Sequence, residues 1–391
     1  MKSIKIILFI IFLSGALYAQ DSVTIRMDPD NVLGGSVSQL FDSVEYIPLQ
    51  TTKESLFGRI DRLQVADDLF FILDRSSDQV LIFKKDGKYK SKIQMQRYVK
   101  STTQQGISSF MVDEDKKWVI VNNDTKPDVL YFFNYQGNLV KTIVGKQWSN
   151  FGYLDQHNYL MAANGDILDS ASGLRANCLI TDTSTKVIKK SLVKIVPGMM
   201  GSGQVVDKVP GEKEVIYAGA FDFSIYKIGI TGIENKIKFI FPVIYTPPKE
   251  IYGTSYENQI KYTHEVNPKM LMGFLDIHTS GNFLTFSLMH IGFGHPSYIY
   301  SASSQNIYSM GNINTDSAHY FLPVISDGGN IYAADRNYFY SHIPVYYFKS
   351  GYNDNLKNRK AAYPDKIRRL YTSFGNYDNP IIIRLKPKQG I

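Results

Sequence analysis

Short apolar runs separated by polar turn residues recur along most of the chain. Between residues 58 and 93 there are four such runs, each bounded by residues that favour turns. They lie at 60–65, 69–73, 79–83 and 89–93. Runs of this length are typical of β-strands, and Asp86-Gly87 is a strong hairpin signal because glycine accepts a positive φ. The segment is therefore predicted to form one four-stranded antiparallel unit.

The same plan repeats along the sequence. Residues 108–144 carry four runs in the same order, with Gln136-Gly137-Asn138 in place of the first hairpin turn, so Gly137 follows Gly87 by 50 residues. More divergent units follow at 150–192, 202–241 and 272–310, and a last, interrupted unit is drawn from 319–326, 330–335 and 379–386. Four-stranded units at a spacing of 40–50 residues are typical of propeller blades. No amphipathic helix pattern occurs in the first 240 residues, which argues against a βαβ architecture.

Both ends of the chain are expected to meet in the last unit. There, 379–386 would supply the third strand and 44–49 the outer strand, which closes the ring and leaves no open edge. The alternative is that 44–49 only caps an edge. Two inserts, at about 242–272 and 336–377, interrupt the later units, and 364–374 is predicted to be a helix whose apolar face packs on the propeller rim. That face comprises Ile367, Leu370, Tyr371 and Phe374.

Several stretches resemble a known family. They are DSVEYIPLQTTKESLFGRID at 42–61, FFILDRSSDQVLIFKKDGK at 70–88, FSIYKI at 223–228 and DNPIIIRLK at 378–386. Together they resemble the six-bladed β-propellers, related to NHL-type propellers, that are common among exported proteins of Bacteroidetes. The resemblance spans about 23–388 and implies an all-β fold: a six-bladed β-propeller closed by N- and C-terminal strands, with a short helical insert in the last blade. It implies no particular activity, because the family has no common one.

The first twenty residues indicate export. Lys2 and Lys5 precede an apolar stretch at 6–17 that is too short to span a bilayer, and small Ala19 suits signal-peptide cleavage. Residues 1–19 are therefore predicted to be a signal peptide, with an uncleaved anchor as the alternative, and 20–391 a single propeller domain. Many members of the family carry a lipid-bearing cysteine near this point, and this chain has none there. The mature protein is expected to be soluble, without a transmembrane segment, and periplasmic or extracellular.

Composition narrows the classes of partner. Aromatic residues make up 13% of the chain, which favours sheet, and the net charge of +7 is spread without blocks of one sign. Nucleic acid is therefore not an expected partner, and the protein is expected to be a monomer. Cys178 is the single cysteine, so no intramolecular disulfide can form, and its strand-like surroundings predict a buried small hydrophobe.

Catalytic motifs are absent from the sequence. It has no G-x-S-x-G elbow, no H-E-x-x-H helix and no phosphate-binding glycine loop. His290 and His295 flank a glycine-containing loop and could bind a divalent metal, although ordinary loop histidines are the favoured interpretation. The acidic clusters at 67–68 and 113–115 are interpreted as turns. No catalytic residue, no metal site and no cofactor is predicted.

Polar residues that end strands are the candidate ligand-binding residues. Asp74-Arg75 and Asp335-Arg336 are interpreted as following the second strand of their units, on the face where propellers bind ligands around the channel, although each pair could instead brace its loop. The candidates are Asp74, Arg75, Asn122, Asn123, Arg175, Asp222, His290, Asp335, Arg336 and Tyr338. Arginine and tyrosine among them suit stacking on a sugar or anchoring a partner.

The leading hypothesis is a non-catalytic binding or scaffold protein of the cell envelope. One propeller face would hold a glycan, a peptide or an envelope protein. The alternative is a propeller-type hydrolase or lyase acting on a lactone or glycan with a channel-bound divalent metal such as Ca²⁺, which Asp74, Asn122, Asp222 and Asp335 would have to hold together.

Overall fold

The described part of the chain forms six sheets, each built on four antiparallel strands that make one blade of a propeller. The computed structural model describes residues 22–99, 106–144, 151–155, 158–168, 175–182, 188–194, 205–290, 297–326, 329–375 and 377–391. The predicted signal peptide lies outside these residues. Of the helices within them, none is both long and apolar enough to cross a membrane.

The strands are numbered in chain order. The first thirteen are β1 (Ser22–Arg26), β2 (Leu33–Ser36), β3 (Phe41–Pro48), β4 (Arg62–Ala66), β5 (Leu69–Asp74), β6 (Gln79–Lys84), β7 (Tyr89–Gln94), β8 (Ile107–Asp113), β9 (Trp118–Asn123), β10 (Lys126–Asn134), β11 (Leu139–Val144), β12 (Phe151–Tyr153) and β13 (Asn158–Leu168). The remaining ones are β14 (Arg175–Asp182), β15 (Ile188–Lys194), β16 (Val205–Lys208), β17 (Val215–Ala218), β18 (Ser224–Gly229), β19 (Gly232–Ile240), β20 (Gly273–Ser280), β21 (Phe283–Met289), β22 (Ser297–Ser301), β23 (Ile307–Asn314), β24 (Ala333–Ala334), β25 (Phe339–Ile343) and β26 (Ile381–Pro387). The helices are α1 (Val37–Leu40), α2 (Tyr256–Glu265), α3 (Val345–Arg359) and α4 (Asp365–Ser373).

The blades follow one another around a ring. Blades 1 to 5 begin at β4, β8, β12, β16 and β20, and each contains four consecutive strands, while blade 6 has the order β24-β25-β26-β3. The innermost strands touch in succession, and β24 returns to β4, so the ring is closed. The predicted six-bladed propeller is confirmed. We call the face that carries the loops between second and third strands the upper face, and the face with the loops between first and second strands the lower face.

Closure of the ring uses both chain ends, as the sequence predicts. Strand β3 pairs antiparallel with β26, with Ile47 opposite Ile382 and Tyr46 opposite Ile383. The sequence analysis did not foresee what precedes β3. Strands β1 and β2 add in parallel to the outer strands of blades 4 and 5, so the N-terminal segment covers the edges of three successive blades.

The hairpin turns form as predicted. Gly87 and Gly137 have φ of 85° and 83°, values that favour glycine. A Cβ at Gly87 would lie 2.0 Å from the carbonyl oxygen of Pro48, and one at Gly137 would lie 2.2 Å from that of Lys92. Glycine is therefore required at each turn for two reasons: the backbone has a positive φ, and a neighbouring strand approaches too closely for a Cβ atom.

The start of blade 6 differs from the prediction. Residues 319–326 form no strand, because Tyr320 and Phe321 have positive φ and Pro323 follows. The apolar side chains of Leu322 and Val324 are buried in the blade 6 core instead, so their pattern reflects a buried connection. The first two strands of the blade are β24 and β25.

The insert in blade 6 contains two helices. The predicted helix is confirmed as α4, with Ile367 buried and Leu370 and Tyr371 packed against the same core. Helix α3 was missed, although Val345, Phe348 and Tyr352 recur at helical spacing and are buried. The other insert, at about 242–272, contains α2.

Asp316 anchors the N-terminal segment to the connection between blades 5 and 6. Its Oδ2 accepts the backbone N–H of Ser38 at 2.7 Å, and its Oδ1 accepts that of His319 at 3.2 Å. Burial raises the pKa of Asp316, but these hydrogen bonds outweigh it and lower the pKa to about 2.

We expect Asp316 to make folding stability depend on pH in the acidic range. Because its pKa is depressed, the stabilisation is present above the unfolded value near 3.8 and is lost as the pH falls toward 2. Asp316→Asn should therefore lose less stability than the unsubstituted protein between pH 5 and pH 2, as measured by urea unfolding at each pH. Equal losses would show that Asp316 does not hold the segment.

Candidate functional site

Asp74 braces a turn at the end of β5 on the upper face. Its buried carboxylate accepts hydrogen bonds from the hydroxyls of Ser76 at 2.5 Å and Ser77 at 2.6 Å and from the Gly58 backbone N–H at 3.0 Å. Burial raises the pKa of Asp74, but these hydrogen bonds outweigh it, so the net pKa is lowered. Its oxygens are engaged by the turn that follows β5 and by the segment that precedes β4.

Arg75 lies at the rim of the channel. Its guanidinium donates to the carbonyl oxygen of Ser108 at 2.8 Å, which links blade 1 to blade 2, and its backbone N–H donates to Asp61 at 2.7 Å. The side chain lines a cavity at the upper mouth of the channel. Arg75 is therefore the predicted residue that reaches the centre of the upper face.

The two asparagines that end β9 are buried in hydrogen bonds. Asn122 Oδ1 accepts from the hydroxyl of Ser108 at 2.5 Å, and its Nδ2 donates to the carbonyl oxygen of Pro127 at 3.3 Å. Asn123 Oδ1 accepts the backbone N–H of Thr125 at 2.8 Å. Both side chains therefore hold the loop after β9.

Three further candidates also lie toward the upper face. Asp222 accepts the hydroxyl of Tyr226 at 2.7 Å, and His290 directly follows β21. Arg175 begins β14, and its side chain lies outside the described residues, as does His295. Ligand binding by Asp222, His290 and Arg175 stays a prediction, and so does the metal hypothesis for the histidine pair.

Asp335 and Arg336 lie on the lower face, not beside Asp74 and Arg75. The interpretation that they follow a second strand is wrong, because they follow β24, the first strand of blade 6. Asp335 accepts from Lys85 Nζ at 3.0 Å and the Tyr340 hydroxyl at 2.6 Å.

Arg336 reaches from blade 6 to the loop after the first strand of blade 4. Its guanidinium donates to the carbonyl oxygen of Gly211 at 3.1 Å. The third candidate of this loop, Tyr338, has its ring 4.7 Å from the guanidinium carbon of Arg384. The ten candidates are thus divided between two faces.

This division bears on the metal-dependent alternative. Asp335 is on the opposite face from the other proposed oxygen donors, so all four cannot surround one ion. Among the described residues, no group of three or more His, Cys, Asp or Glu side chains is placed to hold a metal. The acidic clusters at 67–68 and 113–115 form turns: Asp67 and Asp68 have positive φ, and Asp113 accepts the backbone N–H of Lys116 at 3.0 Å. Cys178 is fully buried, as predicted.

The centre of the channel contains a histidine–aspartate pair that the sequence analysis did not select. His278 Nδ1 lies 2.6 Å from Asp207 Oδ2, and both residues lie on innermost strands. Burial raises the pKa of Asp207, but His278 and Arg62 lower it more, so the carboxyl has a net lowered pKa. His278 Nε2 is buried without a partner among the described residues.

A β-bulge places His278 in the channel. Between Leu275 and His278 the pairing with β21 shifts, and Asp276 has a φ of 49°. As a result Phe274 and Ile277 both pack in the core between blades, while Asp276 and His278 line the channel. Strict alternation would place Phe274, Asp276 and His278 on one side of the strand and Ile277 on the other. A period-two pattern therefore could not predict that Asp276 and His278 line the channel.

The lower mouth of the channel is crossed by side chains. Lys208 Nζ of blade 4 lies 2.7 Å from Glu114 Oε2 of blade 2, and Arg336 of blade 6 bonds to Gly211 of blade 4. Above these bridges the channel widens into a cavity of about 160 Å³ near the upper face.

A larger cleft of about 470 Å³ lies between blades 4 and 5 on the lower face. Its apolar wall and its polar rim come from the same two blades, with Arg336 reaching in from blade 6. The lining residues are Val209, Pro210, Gly211, Glu212, Ile216, Ile225, Tyr226, Lys227, Asn235, Ile237, Thr279, Gly281, Leu284 and Arg336. At the rim, Lys227 Nζ lies 2.5 Å from Glu212 and 2.8 Å from Glu214, so this cation is already paired.

The six blades, joined in a closed ring, define the chain as a six-bladed β-propeller. The chain belongs to the domain family of unknown function DUF4934, which it matches over residues 27–386. None of the curated proteins matches it.

Solved structures similar to this chain include two from Bacteroides. A "Putative exported protein" of Bacteroides fragilis is similar over 94% of this chain and 100% of its own, with 17% identity and a TM-score of 0.68. A member of the DUF4221 family from Bacteroides vulgatus covers 89% of this chain and 98% of its own, with 11% identity and a TM-score of 0.47. At 17% identity, the likeness to the Bacteroides fragilis protein concerns the fold alone.

Proposed function

We propose that the protein is an exported, non-catalytic binding protein of the cell envelope whose ligand occupies the cleft between blades 4 and 5. The cleft carries this proposal, because its volume of about 470 Å³ falls in the range of ligand sites and its apolar wall is bordered by a few polar groups. The pattern of residues 1–20 supports export, and so does the name "Putative exported protein" of the Bacteroides fragilis neighbour.

The lining favours a peptide over a glycan as the ligand. Ile216, Ile225 and Leu284 form an aliphatic wall, which suits an aliphatic side chain better than a ring with many hydroxyls. Asn235 Oδ1 is buried without a partner among the described residues, so it offers an acceptor to a peptide N–H.

Arg336 is the group best placed to hold the charged end of such a peptide. One guanidinium nitrogen donates to Gly211, whereas Lys227 is neutralised by two carboxylates. A guanidinium presents several donors in a plane and therefore suits a carboxylate.

We expect Arg336→Ala to weaken peptide binding by about tenfold, because a charge-assisted hydrogen bond contributes about 1.5–3 kcal/mol. The measurement is calorimetric titration of the chain from residue 20 with short peptides that end in Leu, Ile or Val. Arg369→Ala, which removes an exposed arginine of α4, is the matched control and should bind like the unsubstituted protein. Absence of peptide binding, or equal affinity of Arg336→Ala, would contradict the proposal.

A further inference from the structure

The upper cavity of the channel is separate from the cleft and has no part in the function proposed above. It holds about 160 Å³, and Asp207 and His278 line both it and a space of about 30 Å³ below. Because the bridges of Lys208 to Glu114 and of Arg336 cross the lower mouth, the upper face is the approach to this cavity.

His278 offers this cavity a hydrogen-bond acceptor. An ionised carboxylate only accepts, so the contact of 2.6 Å with Asp207 requires the proton on Nδ1 of His278. In the neutral ring Nε2 is then the acceptor, and it is buried with no partner among the described residues. A buried acceptor without a donor is unfavourable, and a ligand hydroxyl would satisfy it.

The charges around the cavity nearly balance. Arg62 and Arg75 contribute two positive groups, while Asp61, Asp207 and Asp276 contribute three carboxylates. Such a balance disfavours both a phosphate and a bare cation, because the carboxylates would repel the phosphate and the guanidinium groups would repel the cation. Carboxylates accept from hydroxyls and guanidinium groups donate to their oxygens, so the lining suits a neutral molecule with several hydroxyls.

One wall of the cavity is aromatic. Tyr332 lines it, with its ring 4.4 Å from that of His342 and therefore held in place from behind. A fixed aromatic ring beside charged hydrogen-bonding groups offers an apolar surface to the C–H face of a small ring. The volume allows one such ring and excludes a chain of several.

We propose that this cavity binds a single small, uncharged polyhydroxy molecule of the sugar class, with one hydroxyl donating to Nε2 of His278. The site is independent of the peptide cleft, since it opens on the other face and shares no residue of the cleft's aliphatic wall. Either site can therefore fail in experiment without affecting the other.

The direct test is the ¹⁵N resonance of His278 Nε2 in the chain from residue 20. Glucose, galactose, mannose and xylose are added separately, with inorganic phosphate and CaCl₂ as the anion and cation probes. We expect at least one sugar to shift this resonance in a saturable manner, and phosphate and Ca²⁺ to leave it unchanged. The absence of a shift with every sugar, or a shift with phosphate or Ca²⁺ instead, would overturn the proposal.

A variant gives a second readout. His278→Phe keeps a ring but removes the acceptor, and the sugar that binds should do so about tenfold more weakly. His264→Phe, at an exposed position of α2, is the control and should retain the affinity. If His278→Phe folds and binds as tightly as the control, the assignment of His278 is wrong. If His278→Phe does not fold, the ¹⁵N resonance of His278 Nε2 in the unsubstituted protein remains the test of the proposal.

Discussion

Replacing Phe286 by alanine is expected to lower the free energy of unfolding by about 3–5 kcal/mol, the usual cost of truncating a fully buried phenylalanine. Phe286 is completely buried between blades 4 and 5. Its ring centroid lies 4.9 Å from that of Phe239, 5.6 Å from that of Phe274 and 5.7 Å from that of Tyr298. Removal of the ring would leave a cavity that these neighbours can fill only in part.

Equilibrium unfolding in guanidinium chloride measures this effect. Phe286→Leu should be less destabilising than Phe286→Ala, because it retains most of the buried volume. Tyr346→Ala is the control at an exposed position and should change the stability by no more than about 0.5 kcal/mol. If Phe286→Ala costs no more than this control, the aromatic cluster does not hold the two blades together.

Replacing Asn379 by leucine is expected to destabilise the ring closure by about 3 kcal/mol or more. Asn379 is buried just before β26. Its Nδ2 donates to the carbonyl oxygens of Gln50 at 3.0 Å and Ser55 at 2.8 Å, and its Oδ1 accepts the backbone N–H of Phe57 at 3.2 Å. Leucine has a similar shape but would leave the Phe57 N–H and the Ser55 carbonyl oxygen unpaired, at about 1–3 kcal/mol each before relaxation. The Gln50 carbonyl oxygen would keep its hydrogen bond from the Ser55 hydroxyl at 2.7 Å.

Hydrogen exchange can locate the effect. In Asn379→Leu the amides of β3 and β26 should exchange faster than those of blade 2, because the substitution loosens the junction of the chain ends. Asn358→Leu, at an exposed position of α3, should leave both sets unchanged. Uniform acceleration in all blades would indicate a global loss of stability and contradict a local role at the closure.

The candidate site shows which roles of its residues could not be predicted from the sequence. Asp74, Asn122 and Asn123 were selected because they end strands, and the structure uses all three to hold loops. Arg75 and Arg336 reach the two cavities, but on opposite faces. The sequence analysis placed both on one face because it assigned the first strands of blade 6 too early in the sequence. That error arose because buried apolar residues such as Leu322 form a strand-like pattern when only periodicity is considered.

The sequence by itself determined the number of blades, the hairpin turns and the closure by both chain ends. These features depend on local pattern: period-two runs, glycines at turns such as Gly87 and Gly137, and apolar end strands that need a partner. Tertiary structure alone decided which polar groups meet. Asp207 and His278 are 71 residues apart in the chain and become neighbours only because innermost strands of adjacent blades converge on one axis. The bulge that places His278 in the channel interrupts the period-two alternation of β20, so the local pattern does not predict it.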